Sequence, residues 1–164
     1  MRKIGIVMGS VSDLPIVKKA TSILDAFHAP YEVHVYSAHR TPDEAALFAT
    51  KARENGFGAL IAFAGMAAHL AGALAARTTI PVIGVPCKSN ISDGLDALLS
   101  TVQMPSGIPV ATVAVDGGAN AALLALEILS VEDAELAARL DAKREADAQK
   151  VLVADADIDS QIKS

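Results

Sequence analysis

Residues 3 to 27 read Lys-Ile-Gly-Ile-Val-Met-Gly-Ser-Val-Ser-Asp-Leu-Pro-Ile-Val-Lys-Lys-Ala-Thr-Ser-Ile-Leu-Asp-Ala-Phe. The apolar run over 3 to 8 stops at Gly9. From there Leu14, Val17, Ala20, Leu24 and Phe27 recur on one helical face. Ser12 or Asp13 is placed to cap that helix, and Pro15 falls in its first turn, where a missing N–H costs nothing. The stretch is a strand, a glycine loop and a helix.

The same unit repeats downstream. Residues 31 to 36 alternate as a strand, with Val33 and Val35 on one face. Thr41-Pro42-Asp43-Glu44 follows as a capping box, with an N-cap Thr, Pro at the first helical position and Glu three residues after the cap. Asn55-Gly56 ends that helix. Residues 58 to 63 form a small apolar run suited to a strand buried on both faces, and 65 to 77 a following helix. Two further strands are expected at 81 to 85 and 110 to 115, with helices at 95 to 102 and 120 to 129. Strands alternating with helices predict an α/β fold: a flavodoxin-like, doubly wound parallel sheet in three layers with right-handed crossovers. In such sheets ligands bind beyond the carboxyl ends of the strands, where the winding reverses, so the loops at 9 to 13, 37 to 41 and 64 to 70 are expected to meet.

The 164 residues fit a single domain, with a core over about 3 to 129. A long charged helix over about 130 to 153 follows, opening at Ser130 with Asp133 and carrying a thin stripe of Leu136, Leu140, Val151 and Leu152. Residues 154 to 164 read as a polar tail. The chain is 52% apolar but only 4% aromatic, as suits close-packed helices on a buried sheet. A net charge of -5 with no Lys/Arg run argues against nucleic-acid and anionic-membrane partners, both of which need a concentrated basic face. Cys87 is the only cysteine, so no intramolecular disulfide forms, and its apolar strand-end setting suits a packed thiol. The opening apolar run is too short for a signal peptide or a membrane span, and a cytoplasmic location is expected.

Three loops carry the chemistry. In Gly9-Ser10-Val11-Ser12-Asp13, a glycine, two hydroxyls and the N–H groups of a helix start can hold a phosphate, or the polar residues can simply cap. In Ser37-Ala38-His39-Arg40-Thr41-Pro42, Arg40 can pair bidentately with phosphate. His39 stands near the positive end of a helix dipole, which favours a neutral base, or it hydrogen-bonds a loop carbonyl. In Ala64-Gly65-Met66-Ala67-Ala68-His69-Leu70-Ala71-Gly72, small and apolar residues form a tight wall around His69, which by itself reads as a satisfied helix histidine before a site residue. His28 and His34 receive no role. No spacing of His and Cys suits a metal, and the dinucleotide and P-loop glycines are missing, so a cofactor-free acid/base enzyme is expected.

Taken together, Gly-Ser-x-Ser-Asp, Ser-Ala-His-Arg-Thr-Pro and Ala-Gly-x-Ala-Ala-His-Leu resemble the PurE family, the N5-carboxyaminoimidazole ribonucleotide mutases of bacteria. The resemblance continues through Gly84-Val85-Pro86, Gly94-Leu95-Asp96-Ala97-Leu98, Val102-Gln103-Met104-Pro105, Gly107-Ile108-Pro109-Val110 and Asn120-Ala121-Ala122-Leu123-Leu124. It implies an isomerase of purine biosynthesis that needs no cofactor, binds a ribonucleotide and assembles as a homo-octamer with sites between subunits. It assigns substrate contacts to Gly9, Ser10, Ser12, Asp13, Ser37 and Arg40, and the wall around the migrating carboxylate to Gly65, Ala68, His69 and Leu70. His39 becomes the general acid and base. The family usually has Pro where Ala71 stands and often Gly where Met66 stands. A second class within it carboxylates aminoimidazole ribonucleotide directly with CO2; Arg40 and His69 point to the mutase class. A nucleotide-binding module without catalysis would have no need of His39.

Overall fold

A computed structural model describes residues 1–89 and 92–163. The chain divides into two compact units, residues 1–129 and residue 130 onward. The first unit contains β1 (Lys3–Met8), α1 (Leu14–Ala26), β2 (Tyr31–Val35), α2 (Pro42–Lys51), β3 (Phe57–Gly65), α3 (Leu70–Ala75), β4 (Val82–Cys87), α4 (Leu95–Val102), β5 (Ala111–Thr112) and nearly all of α5 (Gly118–Ser130). The sheet runs β2-β1-β3-β4-β5, and every pairing is parallel. Helices cover both faces. Winding proceeds from β1 to β2 in one direction and from β3 to β5 in the other, so the switch point lies between β1 and β3.

Alanine lets the layers approach closely. Val7, Leu60 and Ala62 of the central strands pack with Ala45, Ala49, Leu70 and Leu74 of the helices, all of them buried. Burying apolar surface stabilises by roughly 25 cal/mol per Å², so this layer contact is the main force fixing the strand ends that carry the loops. Gly118 opens α5 against α1: a Cβ there would lie 2.4 Å from the Ile16 carbonyl oxygen, which leaves room for glycine alone.

Several boundaries differ from the sequence pattern. The third strand reaches Gly65, so α3 is confined to six residues instead of beginning at 65. The intervening turn passes through Met66 at φ +58°, a left-handed conformation that no helix can contain. The fifth strand shrinks to two residues because it pairs with β4 only at Ile83 and Gly84, before Asp116 folds back with its N–H on the Pro86 carbonyl at 2.9 Å. On the edge strand β2, Val33 and Val35 do share a face, but it is the exposed one. The opposite face carries His34, stacked on Tyr36 at 5.0 Å and tilted against Phe48.

The second unit is the helix α6 (Ala134–Lys163). It starts four residues later than expected because Asp133 is the cap, its carboxylate accepting the Leu136 N–H at 3.0 Å. It also continues ten residues past 153, so the stretch expected as a polar tail is helical through Lys163. Side-chain pairs one turn apart support that extension, Gln161 with Asp157 at 2.8 Å and Lys163 with Asp159 at 3.4 Å. Val151, Leu152, Val153, Ile158 and Ile162 are exposed on it. Among the described residues, no helix is long and apolar enough to cross a membrane.

Candidate active site

The first loop folds as a single 3-10 turn, Val11–Asp13, capped by Ser10, whose hydroxyl oxygen accepts the Ser12 N–H at 3.3 Å. Ser12 therefore caps nothing. Asp13 occupies the N-cap position of α1 but makes no capping bond with its side chain. Its carboxyl group is buried, at 8% exposure, and burial pushes its pKa above the ordinary carboxylate value. Hydrogen bonds from the Ser12 hydroxyl, the Ser10 backbone and the Cys87 thiol pull the other way and are outweighed. A carboxylate kept in an unfavourable setting, free of any helix-capping task, is available to a ligand.

The second loop is closed by its own hydroxyls. Ser37 Oγ accepts the N–H groups of His39 at 3.3 Å and Arg40 at 3.2 Å. Thr41 Oγ1 accepts the Ser37 N–H at 2.8 Å and donates to the Ser37 carbonyl at 3.3 Å. The capping box expected at 41 to 44 is thus not formed: Pro42 does begin α2, but the Thr41 hydroxyl is drawn back to Ser37 and makes no cap bond. The result is a rigid bend that fixes the backbone from which His39 and Arg40 project. Arg40 then crosses to the first loop, donating from Nη2 to the Gly9 carbonyl at 2.9 Å.

The third loop is pressed against β4. A Cβ on Gly65 would lie 3.2 Å from the Cys87 carbonyl oxygen, which keeps that position small. After Met66, the His69 N–H bonds to the Ala67 carbonyl at 2.7 Å, and this tight turn sets His69 immediately before α3. Its ring faces His39, centroids 5.8 Å apart and planes inclined by 42°.

These loops surround one cavity of about 750 Å³. Gly9, Ser10, Ser12, Asp13, Ser37, His39, Arg40, Gly65, His69 and Leu70 all line it. Ala68 does not; it is buried at 2% exposure behind the turn. Lys88 and Ser89, absent from the expected set, line the cavity as well. Their signal was the carboxyl end of the fourth strand, which obeys the same rule as the other three. Cys87, below them, is buried, and burial together with Asp13 and Asp116 pushes its thiol well above the ordinary range, as befits a packed side chain. Among the described residues, no three His, Cys, Asp or Glu side chains converge as a metal site. A second cavity of about 820 Å³, between the end of α2 and residues 75–82 and 107–111, contains none of the expected site residues.

Two imidazoles, a buried carboxylate, serine hydroxyls and two cations around an alanine-rich wall can bind a polar anion and shuttle a proton beside a dry surface. Comparison with known proteins narrows this. The family model described as AIR carboxylase matches residues 3–150. The N5-carboxyaminoimidazole ribonucleotide mutase of Pyrococcus abyssi is 58% identical over 145 residues, 88% of this chain and 83% of that protein. The mutase of Bacillus subtilis is 54% identical over 91% of this chain and 93% of its own length, and that of Escherichia coli 50% over 92% and 90%. Among solved structures, Treponema denticola PurE superposes with a TM-score of 0.86 at 32% identity, over 94% of this chain and 96% of that one.

Proposed function

The chain belongs to the AIR carboxylase (PurE) family, and from that premise we infer that it isomerises N5-carboxyaminoimidazole ribonucleotide to 4-carboxy-5-aminoimidazole ribonucleotide in purine biosynthesis. The observation that carries the reading is near-full-length identity of 50% or more with proteins identified as that mutase in three organisms. The cavity supplies groups that the reaction needs.

The mechanism follows from those groups. Cleaving the N–CO2 bond requires a proton on the exocyclic nitrogen, and His39 in its protonated form donates it. CO2 is released beside the neutral aminoimidazole. Carbon C4 attacks CO2, forming the new C–C bond, and the C4 proton passes to His39, restoring the imidazolium. One proton is lent and returned, and no other acid or base is consumed. Gly65, Leu70 and the alanines of the third loop keep water from the free CO2 between the two steps. Ser10, Ser12 and Arg40 hold the phosphate, with Gly9 allowing close backbone approach; Asp13 holds ribose hydroxyls, Ser37 shapes the loop, and His69 orients the carboxylate with Ala68 packed behind it. The same reading places the enzyme in the cytoplasm as a homo-octamer with no cofactor, and the exposed apolar residues of α6 support a role for that helix in assembly.

Substrate labelled with 13C in its N5-carboxylate tests the reaction class. In excess unlabelled bicarbonate the label should remain in the C4-carboxylate of the product. Product carrying mainly unlabelled carboxylate would instead indicate direct carboxylation of aminoimidazole ribonucleotide.

A further inference from the structure

Two residues lining the cavity are permanently cationic at neutral pH, and the mechanism above uses only Arg40. Lys88 is the other. It follows directly on Cys87, which is in register with Gly65, so it stands level with the start of the third loop. Its backbone is pinned from a different element, the N–H donating to the Asp116 carboxylate at 2.9 Å. Its ammonium is held by Asp93, also at 2.9 Å. Asp93 lies in the left-handed region at φ +55° and is followed by Gly94 at +95°, a turn that brings its carboxylate back to Lys88.

That pairing is weak by construction. The two side chains are 57% and 81% exposed, and at such exposure solvent screens an ion pair down to little net stabilisation. The ammonium can therefore leave Asp93 at little cost when a stronger, less solvated anion enters the cavity. Arg40 belongs to the loop after β2 and Lys88 to the loop after β4, three strand spacings away, or about 14 Å at ~4.8 Å per strand. The two cations approach the cavity from opposite sides of the switch point. A ribonucleotide carrying phosphate at one end and carboxylate at the other presents two anionic groups to that arrangement.

We propose that Lys88 is a second substrate-binding cation, its ammonium exchanging Asp93 for an anionic oxygen of the bound ribonucleotide. This rests on the reading of the cavity as the ribonucleotide site. The Asp93 carboxylate is then a competitor that occupies the ammonium while the site is empty.

Steady-state kinetics of two full-length variants separate this from a structural brace. Lys88→Gln should raise KM for N5-carboxyaminoimidazole ribonucleotide by about tenfold, as for loss of a hydrogen bond to a charged group, with the defect in KM rather than kcat. Asp93→Asn retains a side chain that tolerates the left-handed backbone and frees the ammonium; it should lower KM by about two- to fivefold. A brace would make both substitutions act alike, because both break the same contact, and an increase of KM in both, or no change in Lys88→Gln, overturns the proposal. Equilibrium titration with aminoimidazole ribonucleotide, which lacks the carboxylate, identifies the anion: weakened binding in Lys88→Gln assigns Lys88 to phosphate, unchanged binding beside a raised KM assigns it to carboxylate. Titration with ribose 5-phosphate and aminoimidazole ribonucleotide also isolates this proposal from the reaction assignment. Affinity that depends on Lys88 in a wild-type protein without turnover would sink the mutase reading and keep the cation, whereas normal wild-type turnover with an unaltered Lys88→Gln would do the reverse.

Discussion

Arg40 and Gly9 are joined across two loops by a hydrogen bond of 2.9 Å from the guanidinium Nη2 to the backbone carbonyl oxygen. The contact ties the bend after β2 to the turn after β1, and Arg40 lines the same cavity as Ser10. Arg40→Ala removes the tie and, on the proposed reading, a bidentate partner for phosphate. The apparent dissociation constant for aminoimidazole ribonucleotide should rise by about tenfold or more, corresponding to ~1.5 to 3 kcal/mol. The matching riboside, which has no phosphate, should bind wild type and variant alike; a comparable loss with the riboside would place Arg40 elsewhere in the site.

Asp13 predicts a trade between stability and binding. Burial raises its carboxyl pKa in the folded chain, so between its ordinary value of 3.8 and the raised value the native state holds more protons than the unfolded state. The favourable contribution of this group is thus complete below pH 3.8 and disappears as pH rises through the native pKa. At neutral pH the ionised side chain is a liability to the fold. Asp13→Asn should melt at a higher temperature than wild type at pH 7, with the gain shrinking as pH falls towards 3.8, and should bind the ribonucleotide more weakly. A variant less stable than wild type at pH 7 would show that the carboxylate is held for folding.

Assembly has a direct test in α6. Leu152 and Ile158 are 59% and 45% exposed on a single chain, so a charge at either position costs the isolated subunit little. If the helix joins subunits in an octamer, Leu152→Glu combined with Ile158→Glu should lower the mass measured by light scattering at micromolar concentration, with helical circular dichroism retained. Activity should fall with it, because sites shared between subunits depend on assembly. An unchanged octamer would remove α6 from the interface, and a monomeric wild type with normal turnover would end the assembly proposal.

The parts legible in the sequence were those governed by period and by strand ends. The apolar run at 3 to 8 and the helical pattern at 95 to 102 coincide with β1 and α4, because each is an apolar pattern bounded by glycine or polar residues. The convergence of three loops followed from parallel topology alone. What escaped was decided by local hydrogen bonding. Thr41 matches a capping box in pattern, yet its hydroxyl has a nearer partner in Ser37. The charged stretch beyond 153 has only Ile158 and Ile162 as large apolar residues, but its side-chain pairs one turn apart carry the helix to Lys163. Lys88 is not marked by the apolar pattern because the fourth strand continues two residues beyond 85, to Cys87, and only that extension carries the following residue to the cavity. The glycine that the family resemblance leads one to expect at position 66 has a physical reason in the φ of +58° at Met66, which glycine adopts without a Cβ penalty.

In the proposed mechanism one imidazole, that of His39, lends and recovers the proton. His39 and His69 face each other at 5.8 Å, yet only His39 projects from the bend that also carries Arg40. Conversion of N5-carboxyaminoimidazole ribonucleotide by His39→Asn, set beside titration of the same variant with aminoimidazole ribonucleotide, is the most direct test. Turnover should fall by roughly 100-fold or more with ribonucleotide binding retained, since general acid–base catalysis contributes at least that much and the proposed phosphate contacts lie on other residues. Turnover within about threefold of wild type, an effect too small for loss of a general acid–base group, would contradict it.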